Sequence, residues 1–400
     1  MLTAPSVLRV EDGGGLLGFL AVDSLVAGRC CGGLRMCPDV GEEELRLLAR
    51  CMTLKYGLLG LPQGGAKAGV MADPDAGIEV RRQALGRFGS ALGEILRSGW
   101  YKPGADMGTT NADIVWMMLE CGMVVSSRDS QERDSGFWTA LGVIAAAREA
   151  SARLGVRLRG SRAVIHGFGS VGTELARLLD EAGVKIVAVA TSRGGLVSGD
   201  GLEVSALLDA AAASGSRLPE AFPARRVPAG EVLEAEAEFL FPCARHWAIH
   251  EENAGAIRAA VMVPAANVPC TPGGEAELLR RGIACVPDFV ANCGGVLGGT
   301  MEFAGIQKSR IMELLPEWIG CLVARLIEAS AREGRTWREL AEEFALRRHA
   351  EIRRAAENPT LARRLLNLGV RLHRAAAAPE PLVRRLAERY FERLIADARF

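Results

Sequence analysis

A glycine-rich turn set between an apolar strand and a helix constrains this chain more than any other feature. Gly167-Phe168-Gly169-Ser170-Val171-Gly172 fits G-x-G-x-x-G and directly follows Ala163-Val164-Ile165-His166. The patterning predicts a strand over Arg162–His166, a helix over Val171–Ala182 and a second strand over Lys185–Ala190. In that β-α-β setting each glycine has a separate task. Gly167 permits the tight turn, Gly169 lets a pyrophosphate approach the backbone, and Gly172 lets the helix pack on the strand. Ser170 and Val171 then carry the first helical amides, which a phosphate would meet. An acidic residue at the end of the second strand would serve the ribose hydroxyls of NAD, but Thr191, Ser192 and Arg193 stand there. Hydroxyls and an arginine suit a 2′-phosphate that a carboxylate would repel, so NADP is favoured over NAD.

Further strands are predicted at Glu238–Phe241, Val261–Val263 and Ala284–Val286, separated by helices, which implies a doubly wound, parallel α/β sheet. Four hundred residues exceed what one core usually organises. The polar stretch Ser126–Ser135 reads as a boundary. The expected division is a first domain over 1–135, a dinucleotide-binding domain over 136–303 and a helical segment over 304–400. In the first domain, Glu42–Lys55 and Arg81–Arg97 read as helices around a turn-rich segment, Gly57–Pro74. A formal net charge of zero gives no field toward nucleic acid or a membrane surface. The arginine-rich tail reads as solvated helix faces. Ten cysteines without CxxC spacing argue against a disulfide framework or a zinc site, so no metal is expected. With no secretory signal visible, a reducing cytoplasm is the expected location.

The chain uses arginine almost everywhere and has five lysines: Lys55, Lys67, Lys102, Lys185 and Lys308. Lys55 and Lys67 lie twelve residues apart, the second after Gly64-Gly65-Ala66. Lysine, unlike arginine, can lose its proton when desolvated or placed beside another cation. Two ammonium groups in one cleft would give a usable base, although ordinary surface lysines fit the same residues. Asp106, in Pro103-Gly104-Ala105-Asp106-Met107-Gly108-Thr109-Thr110, suits a turn former or helix cap as well as a catalytic carboxylate. Asp113 fits the cap better.

Together these segments resemble the glutamate/leucine/phenylalanine/valine dehydrogenases, in that family's order across most of the chain. Gly32-Gly33-Leu34-Arg35-Met36 is similar to its first glycine-rich strand, Met52–Lys55 and Pro62–Pro74 to its two lysine motifs, and Ala105–Thr110 to the loop of its catalytic aspartate. Thr139-Ala140-Leu141-Gly142-Val143 resembles the threonine segment beside the nicotinamide, Ala265-Ala266-Asn267 its Gly-Ala-Asn, and Pro287–Val296 its Pro-Asp-x-x-x-Asn-Ala-Gly-Gly-Val.

The resemblance implies an N-terminal α/β substrate domain, a Rossmann-type domain and C-terminal helices that return to the first domain. It implies an NAD(P)-dependent amino acid dehydrogenase, with an amino acid, its 2-oxo acid and ammonia as small-molecule partners, in a homo-oligomer. Lys67 and Asp106 would be catalytic. Lys55 would hold the substrate carboxylate with Asn292, in a site that includes Gly64 and Gly65. Thr139 and Asn267 would join Gly167, Gly169, Ser170, Val171, Gly172, Thr191, Ser192 and Arg193 around the cofactor. Arg35 has two readings, a group that reaches the site and a structural strand residue, and its place in the strand favours the second. Two departures bear on specificity. Cys31 stands where glutamate-specific members have a lysine, and Gly299 where they have a serine. A γ-carboxylate would lack its clamp, which favours a neutral, apolar side chain. Glutamate dehydrogenase activity is the alternative, and a catalytically inactive cofactor-binding homologue is a reading of another class.

Overall fold

In a computed structural model the chain is described over residues 4–126, 128–131, 134–360, 364, 368–370, 372–373 and 377–397. It divides into two compact units. One comprises 1–133, 303–306 and 342–390, the other 134–302, 307–341 and 391–400.

The first unit is built on strands β1 (Ser6–Asp12), β2 (Gly15–Val22), β3 (Cys30–Met36), β4 (Gly64–Val70) and β5 (Tyr101–Ala105), in the order β1-β2-β4-β3-β5. β1 and β2 form a hairpin and β2 runs antiparallel to β4, whereas β3 is parallel to both β4 and β5. Helix α1 (Glu42–Leu59) lies on one face, where Leu45, Leu48 and Ala49 bury Phe19 and Ala21. Helices α2 (Ile78–Ala91), α3 (Gly93–Arg97) and α4 (Asn111–Glu120) cover the other face, with Leu85, Phe88, Leu96 and Ile114 packed on Leu34, Met36 and Ala68. Sheet and α1 approach closely because β4 is glycine-rich on that side. A Cβ at Gly65 would lie 2.3 Å from Thr53 Oγ1 and 2.6 Å from the Ala49 carbonyl oxygen, both on α1.

The second unit opens with α5 (Ser135–Leu154) and continues through β6 (Arg162–His166), α6 (Ser170–Glu181), β7 (Lys185–Thr191), β8 (Gly194–Val197), α7 (Val204–Ser214), α8 (Leu218–Ala221), β9 (Arg225–Val227), β10 (Phe239–Pro242), β11 (Val261–Met262), α9 (Pro272–Arg280), β12 (Ala284–Cys285), α10 (Asp288–Ala291) and α11 (Gly294–Phe303). The sheet order is β12-β11-β10-β6-β7-β8-β9. Its five expected strands are parallel, but β8 and β9 add an antiparallel edge that the alternating pattern did not reveal. β6 is flanked by β7 on one side and β10 on the other. The sheet therefore changes winding direction there, which is where α/β sheets bind ligands at their carboxyl ends.

The helical tail divides between the units. α12 (Lys308–Glu333) packs along α5 through a face that includes Ile311, Leu315, Trp318, Ile319 and Leu322. The later part of α13 (Trp337–Glu357) belongs to the first unit, with Arg348 donating to the Leu58 carbonyl at 3.1 Å and His349 Nε2 3.1 Å from the Gln63 carbonyl. α14 (Glu380–Asp397) follows, and its Glu380 pairs with Arg128 of the first unit at 2.6 Å. Residues 303–306 already belong to the first unit, and after α12 the chain rejoins it within α13. α12 has an apolar stripe long enough to need α5. None of the helices is long and apolar enough, among the described residues, to cross a membrane.

Gly65→Ala is expected to lose at least about 2 kcal/mol, because the new methyl would meet helix backbone that cannot move aside. Gly13→Ala, where a Cβ meets nothing within 4 Å, should stay within about 0.5 kcal/mol of the parent. Urea unfolding of the two variants checks the pair.

Candidate active site

Side chains alternate across a strand, and the register Cys31↔Gly65, Cys31↔Lys102 and Gly33↔Gly104 puts one set together. Cys31, Gly33 and Arg35 of β3, Gly65, Lys67 and Gly69 of β4, and Lys102 and Gly104 of β5 share the face covered by α1. The alternate residues Leu34, Met36, Ala66 and Ala68 fill the opposite core.

On this face Lys67 is buried, and its Nζ lies 2.8 Å from Asp106 Oδ1. Arg35 Nε donates to Asp106 Oδ2 at 2.9 Å, and its Nη1 pairs with Glu44 of α1. Gly33 makes room for the pair. A Cβ there would lie 2.8 Å from Asp106 Cβ and 3.1 Å from Lys67 Nζ. Asp106 does sit in a turn, where its amide donates to Thr109 Oγ1 at 3.0 Å and its carbonyl accepts from Thr109 N at 3.0 Å. Its carboxylate is left to the cations. The helix-capping duty belongs to Asp113, which forms a capping box with Thr110 at the start of α4.

Burial pushes the Lys67 ammonium below the ordinary lysine range. The Asp106 carboxylate opposes that shift, while Arg35 and, more weakly, Lys55 add to it by repulsion. Burial alone would raise the Asp106 carboxyl, but Lys67 and Arg35 outweigh it and hold the group well below the usual range. The pair therefore joins a destabilised ammonium to a firmly ionised carboxylate. Counted formally, Lys55, Lys67 and Arg35 against Asp106 and Glu44 leave one positive charge, and none once Lys67 gives up its proton.

The sequence pointed to repulsion between two lysines. The structure gives burial and Arg35 the larger part, and Arg35, read as structural, is bonded to the aspartate itself. The available signal was its spacing, two residues from Gly33 and so on the same face. Lys55 is buried in α1, close enough to Lys67 for their charges to act on each other. Gly64 and Gly65 are explained by packing. Their Cβ atoms would collide with the Ser24 carbonyl and with Thr53.

In the second unit the three glycines of the turn lie in three different surroundings. Gly167 has φ +115°, and a Cβ there would meet Cys243 and Ala244 after β10. A Cβ at Gly172 would lie 2.1 Å from the Gly167 carbonyl oxygen. At Gly169, the exposed N-cap of α6, nothing lies within 4 Å. The start of α6 is thus unobstructed at Gly169, which fits a pyrophosphate. Thr139 on α5 is beside Gly295, whose Cβ would lie 2.5 Å from its hydroxyl. Thr191 spends its hydroxyl on the Ser216 carbonyl at 2.7 Å, while Ser192 and Arg193 are exposed. Asn292 is buried and its amide donates to the Ala265 and Ala266 carbonyls and to Asn267 Oδ1 at 3.0–3.1 Å. In this arrangement it organises the 265–267 loop and has only its acceptor oxygen left, whereas a substrate carboxylate needs a donor. Among the described residues no cluster of His, Cys, Asp or Glu is arranged to hold a metal ion, and none of the ten cysteines forms a disulfide.

With five lysines, a ¹⁵N-lysine NMR titration of the side chains is assignable. Lys67 should lose its proton at a lower pH than is ordinary for lysine, and Lys55→Gln should move that titration upward by removing a repulsive neighbour. For the turn, Gly169→Ala should keep the parent thermal midpoint while weakening NADP(H) binding about tenfold. Gly172→Ala should lower the midpoint as well.

Two family models cover most of the chain. Glutamate/Leucine/Phenylalanine/Valine dehydrogenase matches residues 133–355, and the Glu/Leu/Phe/Val dehydrogenase dimerisation domain matches residues 7–123. An NAD-specific glutamate dehydrogenase of Staphylococcus aureus is 34% identical over 320 residues, 76% of each chain. An NADP-specific glutamate dehydrogenase of Saccharolobus shibatae is 31% identical over 310 residues, 74% of this chain and 73% of the relative. Among solved structures, the hetero-hexameric glutamate dehydrogenase from Thermus thermophilus in its Leu-bound form aligns with a TM-score of 0.75 and 28% identity, over 87% of this chain and 88% of that one. The L-tryptophan dehydrogenase from Nostoc punctiforme, at 22% identity and a TM-score of 0.58 over 87% and 96% of the two chains, shares the fold. With its two-domain α/β architecture and both family models matched in order, this chain belongs to the glutamate/leucine/phenylalanine/valine dehydrogenases, a family of NAD(P)-dependent amino acid dehydrogenases.

Proposed function

We propose that this chain oxidatively deaminates an L-amino acid with a neutral, apolar side chain to the 2-oxo acid and ammonia, using Lys67 and Asp106. The observation that carries the reading is the buried Lys67–Asp106 pair at 2.8 Å, in which the amine is held below its usual range and the carboxylate stays charged. When bound on the glycine turn, the dinucleotide supplies the acceptor for the hydride of the substrate Cα.

The chain's own groups manage the rest. The substrate carboxylate enters this cationic face, with the buried Lys55 of α1 as its partner. Water held against the Lys67–Asp106 pair adds to the substrate's C=N carbon, and neutral Lys67 takes up the proton that this addition releases. The protonated amine then steadies the carbinolamine oxygen. Asp106 has lone pairs beyond the two spent on Lys67 and Arg35; with them it takes the proton of the carbinolamine hydroxyl and passes it to the nitrogen, so that C=O forms as the C–N bond breaks and ammonia leaves.

Support for a neutral side chain comes from Cys31, which occupies the face beside Gly33 and has Gly65 and Lys102 as strand neighbours, and from Gly299 in α11. Neither can grip a γ-carboxylate. A preference for NADP is supported by the absence of an acid at the end of β7 and by exposed Ser192 and Arg193. A closed assembly of several copies is supported by the dimerisation-domain match over 7–123 and by the hexameric relative.

An amino acid panel with NAD and with NADP, followed by reduced-cofactor absorbance, tests the reading. Turnover should be highest with neutral side chains and with NADP. Lys67→Ala and Asp106→Asn should each lower kcat about 10³-fold when assayed below the variant's own thermal midpoint, which the loss of a buried partner lowers. In the parent, kcat/KM should fall as pH drops through the Lys67 titration, because the base is then protonated. A folded, cofactor-binding protein that turns over nothing in the panel would overturn the proposal.

A further inference from the structure

We propose that Lys102, with its charge occupied by Asp129, determines which substrate side chain this site accepts. The inference rests on the reading above that the substrate lies on the α1 face beside Lys67 and Asp106, and it names what the far end of the substrate meets. The floor of that face is two register-paired glycines, Gly33 and Gly104. Lys67 Nζ overhangs Gly33, whereas a Cβ at Gly104 would meet nothing within 4 Å. The open part of the site is therefore above Gly104. In one direction along the strands, Arg35, Glu44 and Asp106 already fill the space with their own ion pairs. In the other direction stand Cys31 and Lys102, paired in register about 7 Å from the Gly33–Gly104 rung.

Lys102 is thus a third lysine on the catalytic side of a chain that otherwise spends arginine. Its ammonium is not at liberty. Nζ lies 2.8 Å from Asp129 Oδ1 and 5.8 Å from the centre of the Phe303 ring. Asp129 is fixed in turn by Ser126, whose hydroxyl donates to Oδ2 at 2.7 Å and accepts from the Asp129 amide at 3.1 Å. A substrate carboxylate arriving here would have to share the ammonium with a carboxylate already in place, and like charges would repel. A neutral side chain meets no such competitor. One that ends in an amide or hydroxyl oxygen can also accept one of the remaining Lys102 N–H groups without displacing Asp129. The pair therefore selects neutral side chains, with room for a polar tip, and excludes acidic ones.

The test compares binding of glutarate and pentanoate, a dicarboxylate and its monocarboxylate counterpart, by calorimetry to the full-length protein. Parent, Asp129→Asn, Lys102→Met and the double variant are measured, and kcat/KM is read in parallel for glutamate, glutamine and norvaline. Asp129→Asn keeps the Ser126 contact and frees the ammonium. It should raise the glutarate-to-pentanoate affinity ratio about tenfold, and the double variant should return the ratio to the parental value. Asp129→Ala guards against a loop effect peculiar to asparagine and should move the ratio in the same direction. An unchanged ratio in both Asp129 variants would overturn the inference, as would a parental preference for glutarate that Lys102→Met abolishes. Because ligand affinity is read apart from turnover, a shifted ratio in a protein that deaminates nothing would sustain this inference while defeating the proposed activity. Turnover of neutral amino acids with no shift would do the reverse.

Discussion

A chain of three ion pairs buried under α1 imposes the main constraint on the first unit. Lys67–Asp106 and Arg35–Asp106 share Asp106, and Arg35 links them to Glu44; charges held out of water must satisfy one another or the fold loses several kcal/mol. Their geometry dictates the surrounding residues. Gly33 must lack a side chain because the Lys67 ammonium and the Asp106 methylene occupy its Cβ position, and Gly65 and Gly69 must do so for α1 to come down onto the sheet. α1 in turn delivers Glu44 to Arg35 and brings Lys55 within electrostatic reach of Lys67. The same enclosure that makes the pairs costly to break also unsettles the Lys67 proton, so packing and chemistry have a common origin.

The second unit reaches its function by a different use of glycine. There the absent side chains do not admit another part of the fold in every case. Gly167 and Gly172 yield to neighbouring backbone, and Gly169 yields to open space at the start of α6. That space, at the point where the strand order reverses between β10 and β6, is what a dinucleotide requires. Asn292 ties down the 265–267 loop, a task that uses its donors.

Much of this was legible in the residues because the signals are local. Apolar runs marked β6, β7, β10, β11 and β12, and glycine spacing announced the turn between β6 and α6. The β1–β2 hairpin went unread although Asp12-Gly13-Gly14-Gly15 between two apolar runs is a turn signal. β8 and β9 are short edge strands whose pairing depends on partners far along the chain. Arg35 is an ambiguous residue in a strand until β5 is known to lie beside β3, because only that neighbour brings Asp106 within reach. The tail likewise reads as uniform helix. Its division between α12 and α13 follows from which apolar stripe finds a partner, a matter of packing and not of helical propensity.

What the sequence determined by itself was the kind of chemistry: a nucleotide turn, a scarce amine and a carboxylate, each recognisable because backbone freedom and proton affinity are properties of single residues. What the tertiary structure decided was their state. Burial and the guanidinium of Arg35, both products of strands and helices brought together across long stretches of chain, push the Lys67 ammonium below its ordinary range, and Arg35 with Lys67 keeps Asp106 ionised. The same assembly placed Lys102 and Asp129 at the end of the open floor. Electrostatic energies depend on distance and surrounding medium, and neither exists until the chain has folded.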